Sequence, residues 1–149
     1  VRQTGDANFP ILELHDGQGS AIKITPNAGF NAFAFQVPFR GETYDVLIGP
    51  ESDDELRGGG FSFGCPILFP FPNRTENGKY TFEGKDYQLD VNWKDGHAIH
   101  GLVCDKPWQV KSSGADDKSA WVTGLIRLSE YSDIQRQYPF DAELRVTYR

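Results

Sequence analysis

The chain has 149 residues, of which 38% are hydrophobic and 24% charged, and this composition is typical of a soluble globular domain with a sizeable core. Lys and Arg number 15 against 21 Asp and Glu, which gives a formal net charge of −6. An acidic chain without a basic cluster is not expected to bind nucleic acid. No apolar run approaches the roughly 20 residues that span a bilayer, and the N-terminus lacks the order of a signal peptide. We therefore expect a cytoplasmic protein with no membrane partner.

Alternating apolar residues predict short strands in the first fifty residues. The strands are predicted at Ile11–His15, Ala21–Pro26 and Phe30–Phe39. Tyr44–Ile48 is expected to return as the second strand of a hairpin. The 16 Gly and 9 Pro are spread along the chain rather than massed in one tract, which indicates many turns between strands.

The next two segments do not alternate. Glu51–Gly60 is polar and ends in three glycines, so a flexible surface loop is predicted there. Phe61–Pro72 holds four Phe and three Pro in twelve residues. Because proline lacks a backbone donor, this segment is expected to be irregular and held by aromatic packing.

Strand patterns return in the second half of the chain. We expect a polar turn at Ser112–Ser119 and at most a helical turn at Ser129–Gln137. The predicted strands are Lys79–Phe82, Asp86–Leu89, Trp108–Lys111, Ala120–Leu128 and Ala142–Tyr148. The fold class predicted for residues 1–149 is all-β, a single antiparallel β-sandwich domain with long loops.

Two segments carry candidate functional residues. The proline-stiffened segment that begins at Gly64 ends in Asn73-Arg74. A guanidinium is a rigid fork of donors, suited to neighbouring hydroxyls or a carboxylate. A stiff loop loses less entropy when a ligand binds. An isolated Arg in a turn is more often only a surface residue, so the pair alone does not define a site.

The second segment, Asn92–Gly101, contains His97 and His100. Histidine can exchange protons near neutrality, which makes both residues candidates for acid–base chemistry. The spacing lacks the contexts of zinc sites, so no metal is predicted. His15 is assigned no functional role, and Cys65 and Cys104 are expected to be buried small residues rather than a disulfide.

The order of these motifs resembles the aldose 1-epimerase (galactose mutarotase-like) family. The pattern runs from Gly-x-Pro-Ile-Leu-Phe-Pro-x-Pro-Asn-Arg at Gly64–Arg74, through Gly-Lys-Tyr at Gly78–Tyr80 and Tyr-x-Leu-x-x-Asn at Tyr87–Asn92, to Ile-His-Gly at Ile99–Gly101. A weaker match to the family follows at Tyr138–Leu144. The motifs occur in the family's order, which is harder to obtain by chance than any one of them.

The resemblance implies a galactose mutarotase-like supersandwich that interconverts the α and β anomers of a hexose without a cofactor. Arg74 would bind sugar hydroxyls, and His100 would be the catalytic residue that protonates or holds the ring oxygen. Asn73 and Asn92 would orient these groups. His97 is grouped with the substrate-binding candidates for its position, although the resemblance gives it no role.

The chain departs from the family in length, because members are typically about twice as long. The resemblance places the second histidine, the sugar-binding aspartate and the glutamate base beyond Arg149. The predicted sandwich is therefore incomplete on its C-terminal side. Uncovered apolar faces would favour a homodimer or contact with the missing C-terminal half.

A second function class stays open, that of a carbohydrate-binding β-sandwich without catalysis. The missing base favours it, and Trp93, Trp108 or Trp121 would then stack on sugar faces, although aromatics at alternating positions are more often core. The preferred sugar, and whether it carries a phosphate, are also open.

Overall fold

The computed structural model describes all residues from 1 to 149, and it is built mainly of antiparallel strands. The all-β prediction is thereby confirmed. The chain groups into two compact units: residues 1–67, 104–126 and 145–149 form the first, and residues 68–103 and 127–144 form the second. Neither short helix of the chain has the length or apolarity needed to cross a membrane.

A five-stranded antiparallel meander dominates the first unit, and its strands lie side by side in chain order. Apolar residues on successive strands bury one face of the sheet, as their period of two predicts. Phe9, Phe33 and Phe63 belong to one buried cluster there. The strands are β1 (Arg2–Asp6), β2 (Phe9–His15), β3 (Ala21–Thr25), β4 (Asn31–Phe39) and β5 (Glu42–Asp45).

The polar segment after β5 contains a helix, α1 (Asp53–Gly58), where a flexible loop was predicted. The side chain of Ser52 accepts the N–H of Glu55 at 3.1 Å and so caps the helix. Leu56 is its one buried residue. The prediction was wrong because a six-residue helix with a single apolar contact leaves no periodic pattern to detect.

Most of a three-stranded sheet completes the first unit: β10 (Gln109–Ala115), β11 (Ala120–Arg127) and β12 (Glu143–Tyr148). Its core is built around Phe30, which stacks on Trp108 with ring centroids 5.6 Å apart. Trp108 is only 4% exposed, so it is a core residue rather than a surface for a sugar. β10 continues to Ala115, four residues into the predicted polar turn.

The second unit consists of short elements and irregular segments. Its strands are β6 (Arg74–Thr75), β7 (Lys79–Phe82), β8 (Lys85–Gln88) and β9 (Ala98–Ile99), and α2 (Ser132–Gln137) is its helix. The predicted hairpin is confirmed as β7–β8, and the predicted helical turn is confirmed as a 3₁₀ turn at Leu128–Glu130 followed by α2. Residues 61–72 contain neither helix nor strand apart from one isolated bridge at Cys65, as the prolines predict.

An aromatic cluster and a buried amide hold the second unit together. Tyr80 stacks on Tyr87 with centroids 4.9 Å apart, and its hydroxyl donates to the carbonyl of Gln137 at 2.9 Å. The side chain of Gln137 is buried and accepts the N–H of Asp90 at 2.8 Å. These contacts fix the ends of β8 and α2, beside the segments that carry the candidate site.

Candidate functional site

Two very short strands bring the candidate residues together. β6 and β9 pair antiparallel, with Arg74 opposite Ile99 and Thr75 opposite Ala98. The N–H of His100 donates to the carbonyl of Asn73 at 3.3 Å, so the pairing extends one residue beyond the ladder. The backbones of Asn73-Arg74 and of Ile99-His100 are therefore direct neighbours.

His100 has a backbone conformation that L-residues rarely adopt. Its φ is +62°, in the left-handed region, and such a conformation costs on the order of 1–3 kcal/mol. It persists only where the surroundings enforce it. The next residue, Gly101, also has a positive φ, of +75°.

Close packing against Phe69 explains the glycine after His100. A Cβ on Gly101 would lie 2.3 Å from the carbonyl oxygen of Phe69. That same oxygen accepts the N–H of Leu102 at 2.7 Å. Only glycine fits here, and the sharp turn that it permits sets the direction in which His100 leaves β9.

The imidazole of His100 is fixed through one nitrogen. Nδ1 lies 2.8 Å from the carbonyl oxygen of Pro72. A carbonyl oxygen can only accept, so Nδ1 carries the hydrogen in this contact. In the neutral ring the lone pair is then on Nε2.

Asn92 binds the backbone just before His100 with both atoms of its amide. Its Nδ2 donates to the carbonyl of Ile99 at 3.0 Å, and its Oδ1 accepts the N–H of Ile99 at 2.7 Å. The side chain thus satisfies both backbone groups of a strand residue, as a neighbouring strand would. Asn92 supports the position of β9.

Arg74 is half-exposed, with 49% of its side chain accessible, and it pairs with a carboxylate on a neighbouring loop. Nε donates to Oδ2 of Asp95 at 2.9 Å. A terminal nitrogen donates to Oδ1 of Asn73 at 3.4 Å. The guanidinium is held at one edge and faces solvent at the other.

Asp95 was not among the residues predicted from the sequence. Partial burial acts to raise the pKa of its carboxyl, but hydrogen bonds from Arg74 and from the N–H of His97 outweigh this, and the net effect is a lowered pKa. Asp95 therefore remains ionised through the neutral range. Its one sequence signal was the presence of an acidic residue in the same loop as two candidate histidines.

The two histidines of this loop have different partners. Nδ1 of His97 accepts the N–H of Asn77 at 3.1 Å, so its ring braces the 3₁₀ turn Glu76–Gly78. His100 instead contacts the Pro72 carbonyl. No group of three or more His, Cys, Asp and Glu side chains is arranged to hold a metal ion.

A cavity of about 230 Å³ lies on the face of β6 that carries Thr75. Successive residues of a strand point to opposite faces, so Thr75 lines this cavity while Arg74 points away from it. Arg74 and His100 are not among the lining residues, which are Pro70, Phe71, Thr75, Tyr80, Leu89 and Tyr138. The candidate site is thus an exposed polar surface, with hydrogen-bond donors and one imidazole.

Comparisons with known proteins agree with the motif pattern. The family model described as aldose 1-epimerase matches residues 10–149. The protein YihR of Escherichia coli (strain K12) is 32% identical over 138 residues, which cover 92% of this chain and 39% of that protein.

Solved structures show the same fold. A galactose mutarotase-like protein from Clostridium acetobutylicum superposes with a TM-score of 0.81 and 20% identity, covering 99% of this chain and 44% of that one. A GalM/aldose epimerase homologue from C. elegans gives a TM-score of 0.75 and 24% identity over 94% of this chain and 41% of that one. The galactose 1-epimerase of Lactobacillus acidophilus superposes with a TM-score of 0.71 and 20% identity, covering 99% of this chain and 42% of that one.

The galactose mutarotase-like fold predicted from the motifs is therefore confirmed. The chain spans about two fifths of the length of the relatives it matches. Its family model covers nearly every residue described above, including the β6–β9 ladder and the loops on either side. The chain belongs to the aldose 1-epimerase family.

Proposed function

We propose that this protein binds a hexose at the β6–β9 ladder and takes part in interconverting its α and β anomers. Arg74 binds hydroxyls of the sugar, and His100 exchanges a proton with the ring oxygen. Asn73 and Asn92 orient these two side chains, and His97 braces the loop around them. The substrate is a monosaccharide, and the proposed chemistry uses no cofactor.

The observation that carries this proposal is the conformation of His100. Five non-glycine residues of the chain have a positive φ, and His100 is the one among the candidate residues; its neighbours hold it there, and such strain is concentrated at functional sites. With Nδ1 donating to the Pro72 carbonyl, the lone pair of the neutral ring is on Nε2, and we assign proton exchange to that atom. Arg74, whose backbone pairs with that of Ile99, presents a rigid set of donors that suits vicinal hydroxyls.

The reaction requires two proton transfers. A base removes the proton of the C1 hydroxyl while an acid protonates the ring oxygen, and the C1–O bond of the ring breaks to give the open-chain aldehyde. Rotation about C1–C2 and reclosure on the other face give the other anomer. His100 as imidazolium supplies the acid, and on reclosure its neutral ring takes the proton back. None of the carboxylates described here is assigned as the base.

Polarimetry tests the proposal directly. Freshly dissolved α-D-galactose and α-D-glucose are followed with the protein, with His100→Ala and with a control, His15→Ala. His15 is a half-exposed histidine in the other unit, paired with Glu13 at 3.4 Å. We expect mutarotation above the buffer rate, reduced by about 10²–10⁴ in His100→Ala, the range of a general acid, and unchanged in His15→Ala.

Two other outcomes would contradict parts of the proposal. Sugar binding by calorimetry without any acceleration would indicate a carbohydrate-binding module rather than an enzyme. Equal acceleration by the protein and His100→Ala would remove the assigned acid.

A further inference from the structure

We propose that Asp95 is the positioning residue for Arg74, holding the guanidinium so that its outer edge meets the sugar. This inference rests on the proposed function of Arg74 and goes beyond it, because it assigns a role to a residue of another loop. Asp95 itself does not touch the sugar. It acts through the Nε contact of 2.9 Å.

The contacts of Arg74 show which donors are left for a ligand. A guanidinium has five N–H bonds in a planar fork. One is directed to Asp95 and one to Asn73. Three N–H bonds, all on terminal nitrogens, remain without a protein acceptor. A side chain held by Nε therefore presents the edge that can donate to two adjacent hydroxyls at once.

Asp95 is itself fixed, which lets it fix Arg74. Its Oδ1 accepts a hydrogen bond from the N–H of His97 at 3.2 Å, and its Oδ2 accepts one from Nε of Arg74. Each carboxylate oxygen therefore has its own donor. The loop is closed by the N–H groups of Asn92 and Trp93, which both donate to the carbonyl of His97. A carboxylate with both oxygens engaged cannot turn freely about its side-chain torsions.

Stability alone does not account for this ion pair. Arg74 and Asp95 are 49% and 37% exposed, and exposed pairs contribute little to the free energy of folding. Ordering a long side chain in advance does help binding, because the ligand then meets a smaller entropic cost. Loss of Asp95 should weaken sugar binding by about 3- to 10-fold, the cost of immobilising one flexible side chain.

The first experiment measures D-galactose and D-glucose binding by isothermal titration calorimetry for the protein, Asp95→Ala and Asp95→Asn. A matched control is Asp6→Ala. Asp6 accepts a hydrogen bond from Arg57 at 2.6 Å and others from the N–H groups of Asn8 and Phe9. The side chains of Arg57 and Asp6 are 48% and 50% exposed, so this ion pair is similar in exposure to that of Arg74 and Asp95. We expect weaker binding in Asp95→Ala, an intermediate effect in Asp95→Asn, and none in Asp6→Ala.

A double-mutant cycle separates positioning from direct contact. In an Arg74→Ala background, Asp95→Ala should have no further effect on sugar binding, since the side chain that it orients is gone. An additional loss of similar size would overturn the proposal, because Asp95 would then act on the sugar or on the fold. Unchanged binding in both single variants would instead contradict the proposed function of Arg74. Weaker binding in Arg74→Ala with unchanged binding in Asp95→Ala would contradict only the positioning role.

A spectroscopic measurement covers the case in which Asp95→Ala fails to fold. The Nε–H resonance of Arg74 is identified by its absence from the spectrum of Arg74→Lys. In the protein it should exchange slowly with water, and in Asp95→Asn it should exchange faster. Equal exchange rates in a folded Asp95→Asn would show that Asp95 does not hold the guanidinium.

Discussion

The aromatic core of the first unit and the candidate site of the second are held in different ways. In the first, Phe30 is fully buried, stacks on Trp108 and contacts the Tyr148 ring at 5.4 Å between centroids. In the second, the candidate site depends on side chains bound to backbone groups, such as Asn92 on Ile99 and His100 on Pro72. Apolar burial tolerates many sequences that keep volume and pattern, whereas these polar contacts require particular residues. We therefore expect fewer sequences to form the candidate site than to form the core.

The largest expected effect comes from removing the aromatic centre of the first unit. Phe30→Ala should lower the free energy of unfolding by about 3–5 kcal/mol, because a large cavity replaces a fully buried ring. Phe39→Ala is the control, since Phe39 is 57% exposed and its loss should cost less than about 1 kcal/mol. Urea unfolding measures both. Similar values for the two variants would contradict the assignment of Phe30 to the core.

The second prediction concerns the turn that directs His100. Gly101 and Gly17 both have φ of +75°, but a Cβ at Gly101 would meet the Phe69 carbonyl while Gly17 has open space around it. Gly17→Ala should therefore cost about 1 kcal/mol for the conformation alone, and Gly101→Ala should cost more than about 2 kcal/mol and also abolish sugar binding. Unfolding in urea and calorimetric titration with D-galactose measure the two effects. Equal costs would show that the approach to Phe69 is not tight.

Alkaline pH should weaken the first unit through Tyr148. Burial raises the pKa of Tyr148 from 10.0 to about 12. The unfolded chain then loses its phenolic proton at lower pH than the folded chain, so this contribution to stability is complete below pH 10 and is lost as pH rises toward 12. Its size is at most about 3 kcal/mol, from a shift of about two pKa units at about 1.4 kcal/mol per unit.

Tyr148→Phe checks this sign. The variant should show a flatter fall in unfolding free energy between about pH 10 and 12, although it loses about 1 kcal/mol at neutral pH with the hydrogen bond to the Phe30 carbonyl. An unchanged slope would mean that Tyr148 ionises as readily in the folded chain as in the unfolded one. Cys104, whose pKa burial raises to about 11, contributes to the slope in both proteins.

The smallest expected effect is the loss of stability that acid causes through Asp95 in the second unit. The pKa of Asp95 is lowered in the folded chain, so its contribution to stability is present above the unfolded value of 3.8 and is lost as pH falls through the folded value. The protein and Asp95→Asn should therefore differ in urea midpoint at pH 6 and converge once the pH falls below the folded pKa of Asp95. A difference that persists in strong acid would contradict an ionic role.

Several strands were predictable because burial imposes a period of two on the sequence, whereas β1, β6 and β9 were not predicted. β2, β3 and β4 follow that pattern within a few residues. α1 was missed because its cap and its single buried residue are local features. The family motif named Arg74 and His100, and the structure pairs the backbones of Asn73-Arg74 and Ile99-His100. Asp95 could not be inferred, since the loop that brings it to Arg74 is shaped by backbone contacts with no sequence period.

The cysteines show the same limit on a smaller scale. Both were expected to be buried, which is correct for Cys104 and wrong for Cys65, whose side chain is exposed. Cys65 lies in the proline-rich segment, where no alternation distinguishes inward from outward side chains. Burial in irregular segments is set by the contacts of the folded chain.

The central claim is that the guanidinium of Arg74 and the imidazole of His100 belong to one sugar site. A nuclear magnetic resonance titration with D-galactose measures it most directly, by following the Nε–H signal of Arg74 and the ring signals of His100 in the same samples. We predict that both sets of signals shift together and saturate with a single dissociation constant. Signals that respond at different galactose concentrations, or a response from only one of the two residues, would contradict it.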